Sequence, residues 1–211
     1  APRVGDLRRL YSGLPASCEV RVRVMASSVN PSDRRPSVAP SFERGGHVLG
    51  SDVAGVVAEV GGGCSRLRVG DRVWGDIGAN THTATGGKTK ELGGYGKYAM
   101  GLESQLWAIP ANMGFIEAGS LPKVALTSLK ALAWYAGARN DTLWKASPTI
   151  LVLGGSGGTG TTGIQLARAF GGSGARIIAT TSAANSDYCR SLGANATIDY
   201  RTRNWWDPSV V

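Results

Sequence analysis

The stretch that most constrains this chain runs from Thr149 to Phe170, TILVLGGSGGTGTTGIQLARAF. Ile150-Leu151-Val152-Leu153 is an unbroken apolar run, the pattern of a strand buried on both faces of a parallel sheet. Glycines follow at 154, 155, 157, 158 and 160, and apolar residues then recur at helical spacing through Ile164, Leu166, Ala167 and Phe170. Strand, glycine turn and helix in that order open a dinucleotide-binding unit. Gly155, Gly157 and Gly160 fit G-x-G-x-x-G. The first glycine of such a motif allows the tight turn. The second leaves room for a pyrophosphate, and the third lets the helix pack close on the strand. The helix N-terminus then offers N–H groups to phosphate oxygens. A bare glycine pattern is weak, and it is the flanking strand and helix that make this one a nucleotide site.

From residue 150 onward the pattern is β-α-β-α-β. The spacing predicts a second strand over 176–180, a second helix over about 185–192 and a third strand over 196–199. The first half of the chain reads differently. Residues 19–24, EVRVRV, alternate at period two, with Arg21 and Arg23 on the wet face of an antiparallel strand. Further strands are expected over 48–60, 68–75, 94–100 and 106–110, separated by glycine, proline and polar turns. Residues 76–93 form a long polar loop of the kind that often carries function. Residues 115–138 have helical spacing interrupted by Pro122. The expected organisation is a β-barrel domain over 1–115 and a doubly wound α/β domain over 116–211.

Composition excludes several classes. Among 211 residues, 42% are hydrophobic, and no apolar run is long enough for a transmembrane helix. The formal charge of +8 points to an anionic partner, but the basic residues are scattered, which argues against nucleic acid. A dinucleotide phosphate, an organelle interior or an acidic partner subunit explains the sign as well. The three cysteines, Cys18, Cys64 and Cys189, lack CxxC spacing and argue for a reducing compartment and against a structural zinc lobe.

Seven stretches taken together resemble the medium-chain dehydrogenase/reductase superfamily, in its zinc-free quinone oxidoreductase and enone/alkenal reductase branch. They are ASSVNPSD from Ala26, VLGSDVAGVVAEVG from Val48, VGDRVWGDI from Val69, GYGKYA from Gly94, SLPKVALTSLKAL from Ser120, VLGGSGGTGTTGIQLARAFG from Val152 and SLGANATIDYR from Ser191. They span about nine tenths of the chain in the family's order. The resemblance implies a GroES-like β barrel followed by a Rossmann domain, of which the chain holds the first half. The polar loop after Gly75 resembles the plastid-type members.

Zinc-dependent members ligate metal through a Cys and a His-Glu pair. Here the first position is Asn30 and the pair reads Ser51-Asp52, so the soft thiolate and imidazole that zinc favours are both missing and no metal is expected. His47 and His82 are placed in loops.

The cofactor implied is NADPH. NAD enzymes hold the ribose 2′-OH with an acid at the end of the second strand. Here that strand ends Thr180-Thr181-Ser182, with no acid before Asp187. By resemblance, Ser182 and Tyr200 line the 2′-phosphate and Arg201 is its charge partner. Relatives often carry Lys where this chain has Asn185. Gly157, Gly158, Thr159 and Gly160 are expected to hold the pyrophosphate, Ser156 to add a hydroxyl, and Thr127 to lie near the nicotinamide. In the β domain, Asn30 and Arg35 are the catalytic candidates, Arg35 standing where enone reductases have Lys. Asp33 reads as a turn-stabilising carboxylate.

The chemistry implied is hydride transfer from NADPH to a quinone or an α,β-unsaturated carbonyl, with Asn30 or Arg35 stabilising the oxyanion. The alternative is a reductase-like structural or assembly subunit of a larger complex, favoured by Asn185, Arg35 and the apparent halving of the Rossmann domain. A homo-oligomer or a place in a larger assembly is expected. The basic pI near 9.8 and the plastid-type loop favour a plastid or mitochondrion slightly over the cytoplasm.

Overall fold

The structure is a computed structural model, and it describes residues 18–34, 48–78, 93–135 and 144–207. Arg35, His47, His82 and most of the polar loop expected over 76–93 lie outside the described residues. Contacts divide the chain into two compact units, 1–123 and 124–211.

The first unit is built on β1 (Glu19–Ala26), β2 (Asp52–Val60), β3 (Arg72–Asp76), β4 (Tyr98–Leu102) and β5 (Leu106–Ala108). They form one sheet in the order β4-β1-β2-β3-β5, with every neighbouring pair antiparallel. The alternation of β1 works as its sequence requires. Val20 and Val22 are fully buried, while Arg21 sits opposite Glu59 of β2 and pairs with its carboxylate. The valines join Val53, Val57, Val73, Ala99 and Leu106 in the main apolar core. β2 contributes to both sheet faces, because Ala54 packs on the other side with Ile109 and Ala118. Ala118 belongs to α1 (Phe115–Ser120). This packing attaches α1 to the sheet, so the division falls at 123/124 rather than at the expected 115/116.

Pro122 interrupts the helical stretch as its chemistry dictates. It lacks an N–H and cannot continue a helix, but it suits a first helical position. α1 ends at Ser120 and α2 (Pro122–Lys130) begins at the proline. A π-helical segment, Ala131–Tyr135, continues α2.

The second unit alternates β6 (Thr149–Val152), α3 (Gly158–Gly171), β7 (Arg176–Thr181), α4 (Ser186–Ser191) and β8 (Ala196–Asp199). The strands are parallel in the order β6-β7-β8, the first half of a Rossmann sheet. Ile164 and Ala167 of α3 pack on Ile177 and Ala179 of β7, and Leu132, Cys189 and Ala194 complete that core. Arg168 locks the far end of α3: its guanidinium donates to the carbonyls of Ala175 and Gly193 at 3.0 and 2.9 Å and to Asn195 Oδ1 at 2.6 Å. The fold is therefore a GroES-like antiparallel sheet followed by a partial Rossmann sheet.

Candidate functional site

Two constellations stand out, one in each unit. In the second unit, β6 runs into a turn where Gly154 has φ of +68°, a conformation that favours glycine. The turn is thus made by Gly154, one residue before the glycine that the sequence pattern assigns to it. Thr180 of β7 secures it twice: its hydroxyl accepts the Gly154 N–H at 2.9 Å and its carbonyl accepts the Gly155 N–H at 2.8 Å.

Helix α3 then starts at Gly158, three residues earlier than the apolar spacing alone suggests, with Gly157 as its N-cap and no side-chain cap. An uncapped first turn leaves N–H groups of the helix directed outward. Gly157, Gly158 and Thr159 are exposed there. At Gly157 an added Cβ would meet only the Gly154 carbonyl oxygen, at 3.3 Å, so the space in front of it is open. Gly160 is buried, and a Cβ there would strike the backbone of Gly154 and Gly155. The second and third glycines therefore do what the motif requires, one leaving space outward and the other allowing close approach inward. The residues fit a dinucleotide pyrophosphate.

The end of β7 supplies a polar cluster. Thr181 Oγ1 donates to Ser156 Oγ at 3.0 Å, and Asn185 Nδ2 donates to the same oxygen at 3.3 Å. Ser156 accepts both and keeps its own hydrogen for another acceptor. Ser182 is buried and leads into the short turn Ala183–Asn185. The Tyr200 N–H donates to the Thr181 carbonyl at 3.3 Å, which sets Tyr200 beside the end of β7, its side chain half exposed. Arg201 is exposed, its backbone N–H held by Asp199. The nearest following acid, Asp187, is exposed and lies 3.6 Å from Arg190. The structure thus brings together Ser156, Thr181, Ser182, Asn185 and Tyr200.

Thr127 lies on the exposed side of α2. Its neighbour Ser128 is the residue the sequence reading missed. It is buried, its hydroxyl donates to the Thr159 carbonyl at 2.7 Å and it lies 2.9 Å from Thr162 Oγ1. Thr180 and Thr181, read in the sequence only as the acid-free end of β7, also serve through their hydroxyls, which bond to Gly154 and Ser156.

In the first unit, Asn30 is buried, and its amide hydrogens turn inward. Nδ2 donates to Asp52 Oδ2 at 2.7 Å and to Ser28 Oγ at 3.3 Å. Asp52 also accepts from the Ser28 hydroxyl and from the Lys123 backbone N–H at 2.7 Å. Burial pushes the Asp52 carboxyl above its ordinary range; these hydrogen bonds oppose the shift and the neighbouring Asp76 charge adds to it. Asp76 itself pairs with the Lys123 ammonium at 2.9 Å.

Asp33 forms the second centre. It accepts the Asn30 N–H at 2.9 Å, the Ser51 hydroxyl, and the Tyr95 phenol at 2.7 Å. The first of these bonds gives Asp33 the turn-stabilising role expected of it. Burial, then the hydrogen bond to Asp33 and its charge, push the Tyr95 phenol up to about 12. Asn30, Ser51 and Asp52, the positions matched to metal ligands in zinc-dependent relatives, are thus joined by hydrogen bonds through two carboxylates. Among the described residues, the one trio with converging metal-ligand atoms is elsewhere, at Cys18, Cys64 and Glu103.

These features define a GroES-like domain followed by a partial Rossmann sheet, and comparison with known proteins agrees on the fold. Residues 16–111 match the family described as "Alcohol dehydrogenase GroES-like domain". The chain is 35% identical over 192 residues to the chloroplast envelope quinone oxidoreductase homolog of Arabidopsis thaliana, covering 89% of this chain and 54% of that protein. It is 33% identical over 189 residues to the NADPH-dependent alkenal/one oxidoreductase, chloroplastic, of the same plant, covering 88% and 46%. The solved quinone oxidoreductase from Coxiella burnetii superposes with a TM-score of 0.70 at 26% identity, over 88% of this chain and 55% of that one. The chain spans about half the length of the curated relatives it matches. Its residues 16–111 thus match the GroES-like domain family, and the chain as a whole is similar to proteins named quinone oxidoreductases and alkenal/one oxidoreductases.

Proposed function

We propose that this chain carries the cofactor cradle and part of the substrate site of a zinc-independent, NADPH-dependent reductase of quinones or α,β-unsaturated carbonyls. The observation that carries the reading is the uncapped start of α3 with open space at Gly157. When bound, NADPH supplies the hydride. The N–H groups of Gly158, Thr159 and Gly160 hold the pyrophosphate, and the Ser156 hydroxyl donates its remaining hydrogen to the same group. Ser182, Asn185, Tyr200 and Arg201 surround the 2′-phosphate, where the absence of a carboxylate on β7 removes the repulsion that would select NAD. Thr127 lies toward the nicotinamide.

In the β-rich unit, Arg35 supplies the positive charge for the developing oxyanion. Asn30 spends its amide hydrogens on Asp52 and Ser28, so its part is to hold the loop that leads to Arg35. The relatives named chloroplastic support a plastid home, and association into oligomers belongs to the same reading. Titration with NADPH and NADH, followed by turnover with a simple quinone and a simple enone, tests it. Binding of NADPH in preference to NADH and oxidation of the bound cofactor are expected. Absence of binding of either nucleotide would overturn the reading and favour the assembly-subunit alternative.

A further inference from the structure

The structure corrects one reading of the sequence. Spaced 46 residues apart, Cys18 and Cys64 show no motif, yet the fold joins them in a disulfide with Cα atoms 4.7 Å apart. Cys18 immediately precedes β1, and Cys64 lies in the turn between β2 and β3. The three cysteines thus do not form the all-thiol set that a reducing compartment implies; Cys189 alone is free, buried in the core of the other unit.

We propose that Cys18 and Cys64 form a thiol–disulfide exchange site, closed in the oxidised protein and opened by a dithiol reductant. Backbone bonds independent of sulfur hold the two segments together. The Gly61 N–H donates to the Glu19 carbonyl at 2.8 Å, the Cys64 N–H to the Gly61 carbonyl at 3.0 Å, and the Glu103 N–H to the Cys18 carbonyl at 3.0 Å. The Glu103 carboxylate clamps the same turn by accepting the N–H groups of Leu67, Arg66 and Ser65 at 2.7, 2.8 and 3.3 Å. Those bonds, led by that of Leu67, hold its carboxyl below the usual glutamate range. Two thiols released by reduction therefore stay side by side, with Cys64 Sγ 3.6 Å from the Glu19 carbonyl oxygen as a ready acceptor. Held at high effective concentration, the pair recloses once one thiolate has attacked an oxidant disulfide such as oxidised dithiothreitol. The second thiolate then resolves the mixed disulfide, and the oxidant leaves as a dithiol that takes up the two electrons and two protons.

The ligand atoms of Cys18, Cys64 and Glu103 lie within 4.8 Å of one another, as in a metal site. The carboxylate is already committed to three N–H donors, however, which leaves sulfur–sulfur chemistry as the use of the cluster. Both bridging cysteines are half-buried and within reach of a small dithiol, whereas Cys189 is fully buried. In the exchange, one thiolate of the reductant attacks a bridging sulfur and the S–S bond breaks. The second reductant thiolate then resolves the mixed disulfide. The reductant leaves as a disulfide, and two electrons and two protons pass to Cys18 and Cys64. The loop that the bridge closes contains Asn30, Asp33, Ser51 and Asp52, so the crosslink restrains the polar network described above.

The test takes the full chain through oxidised and then reduced dithiothreitol, with alkylation by iodoacetamide in denaturant and counting by mass spectrometry. One alkylated cysteine, Cys189, is expected in the oxidised protein, three after reduction, and one again after reoxidation, with a Cys18–Cys64 crosslinked peptide. The urea midpoint of the β-rich unit, read by tryptophan fluorescence, is expected to fall by about 1 M on reduction. Cys64→Ser is expected at the reduced position, indifferent to dithiothreitol. Three alkylated cysteines in the oxidised protein, a crosslink through Cys189, or a midpoint that ignores reduction would each overturn the proposal. Nucleotide binding enters none of these readouts, so they stand or fall apart from the reductase reading.

Discussion

Aspartate at Gly157 and, in a separate protein, alanine at Gly160 would pull apart the two jobs of the glycine turn. At Gly160 the new Cβ would lie 2.7 Å from Gly155 Cα and 2.8 Å from the Gly154 carbonyl carbon, with the Gly154 oxygen nearer still. Carbon atoms pack at about 3.5–4.0 Å, so α3 must retreat by about 1 Å. Retreat loosens Ile164 and Ala167 from Ile177 and Ala179. Overpacking of this kind costs about 1–3 kcal/mol, against a gain of up to about 1 kcal/mol from alanine's helix propensity. The net expectation is a loss of about 1–2 kcal/mol. Gly157 is the opposite case. Its φ of −81° and ψ of 167° suit any residue, and its one close neighbour is the Gly154 oxygen at 3.3 Å. Aspartate is a favoured N-cap and complements the helix dipole, contributing about 0.5–1 kcal/mol, part of which the crowding removes. Gly157→Asp should therefore unfold in urea within about 0.5 kcal/mol of the unsubstituted protein. Its carboxylate, however, occupies the N–H groups proposed for phosphate, and NADPH affinity should fall at least tenfold, about 1.4 kcal/mol. Circular dichroism in urea and a fluorescence titration with NADPH read the two effects. If Gly157→Asp were as destabilised as Gly160→Ala, or bound NADPH as tightly as the unsubstituted protein, the division of labour between these glycines would be wrong.

Other perturbations address the β-rich unit. Gly50 has φ of +107°, and a side-chain carbon there would lie 2.6 Å from the Tyr95 ring, so Gly50→Ala should cost about 2 kcal/mol or more in urea unfolding. Tyr95 should titrate late in an ultraviolet titration of tyrosinate, its phenol being raised from 10.0 to about 12. The sign follows: above pH 10 the unfolded chain releases a proton that the fold retains. The contribution is complete below pH 10 and lost as pH rises through about 12. Tyr95→Phe should flatten that part of the stability profile, by less than the full shift implies because the residue is half exposed. Asp52→Ala removes the acceptor of Ser28, Asn30 and the Lys123 N–H, and a loss of about 3 kcal/mol is expected; equal stability would mean that the network does not restrain the loop.

Much of the fold was legible because its signals are local. The period of EVRVRV placed β1 and its buried valines, the apolar run at 150–153 placed β6, and Pro122 placed the break between α1 and α2. Residues 196–199 were placed to the residue as β8. The features that were missed depend on contacts between distant residues. Cys18 and Cys64 meet only because β1 and β2 pair, and Ser128 matters only because α2 lies against Thr159 and Thr162. The start of α3 was set late because glycines carry no hydrophobic period, although the uncapped first turn they form is the part proposed to hold phosphate.

The candidate site shows the same limit in a sharper form. Sequence alone established that Asn30, Ser51 and Asp52 cannot offer zinc a thiolate and an imidazole. It could not show which contacts hold these positions together. The answer is a pair of carboxylates, each answered by three donors. Asp33 takes Ser51, Tyr95 and the Asn30 backbone, and Asp52 takes Ser28, Lys123 and the Asn30 side chain. That supply of donors is what lets two acids stay buried in one small unit. Asn30 bonds to both centres, so the residue first read as an oxyanion donor is the link between them. With its amide hydrogens engaged internally, the proposed charge for the oxyanion passes to Arg35. Asn30→Ala should accordingly disturb stability before chemistry. Arg35→Gln should leave stability unchanged while lowering turnover, and an Arg35→Gln protein with normal turnover on both quinone and enone would send the search for the oxyanion partner elsewhere.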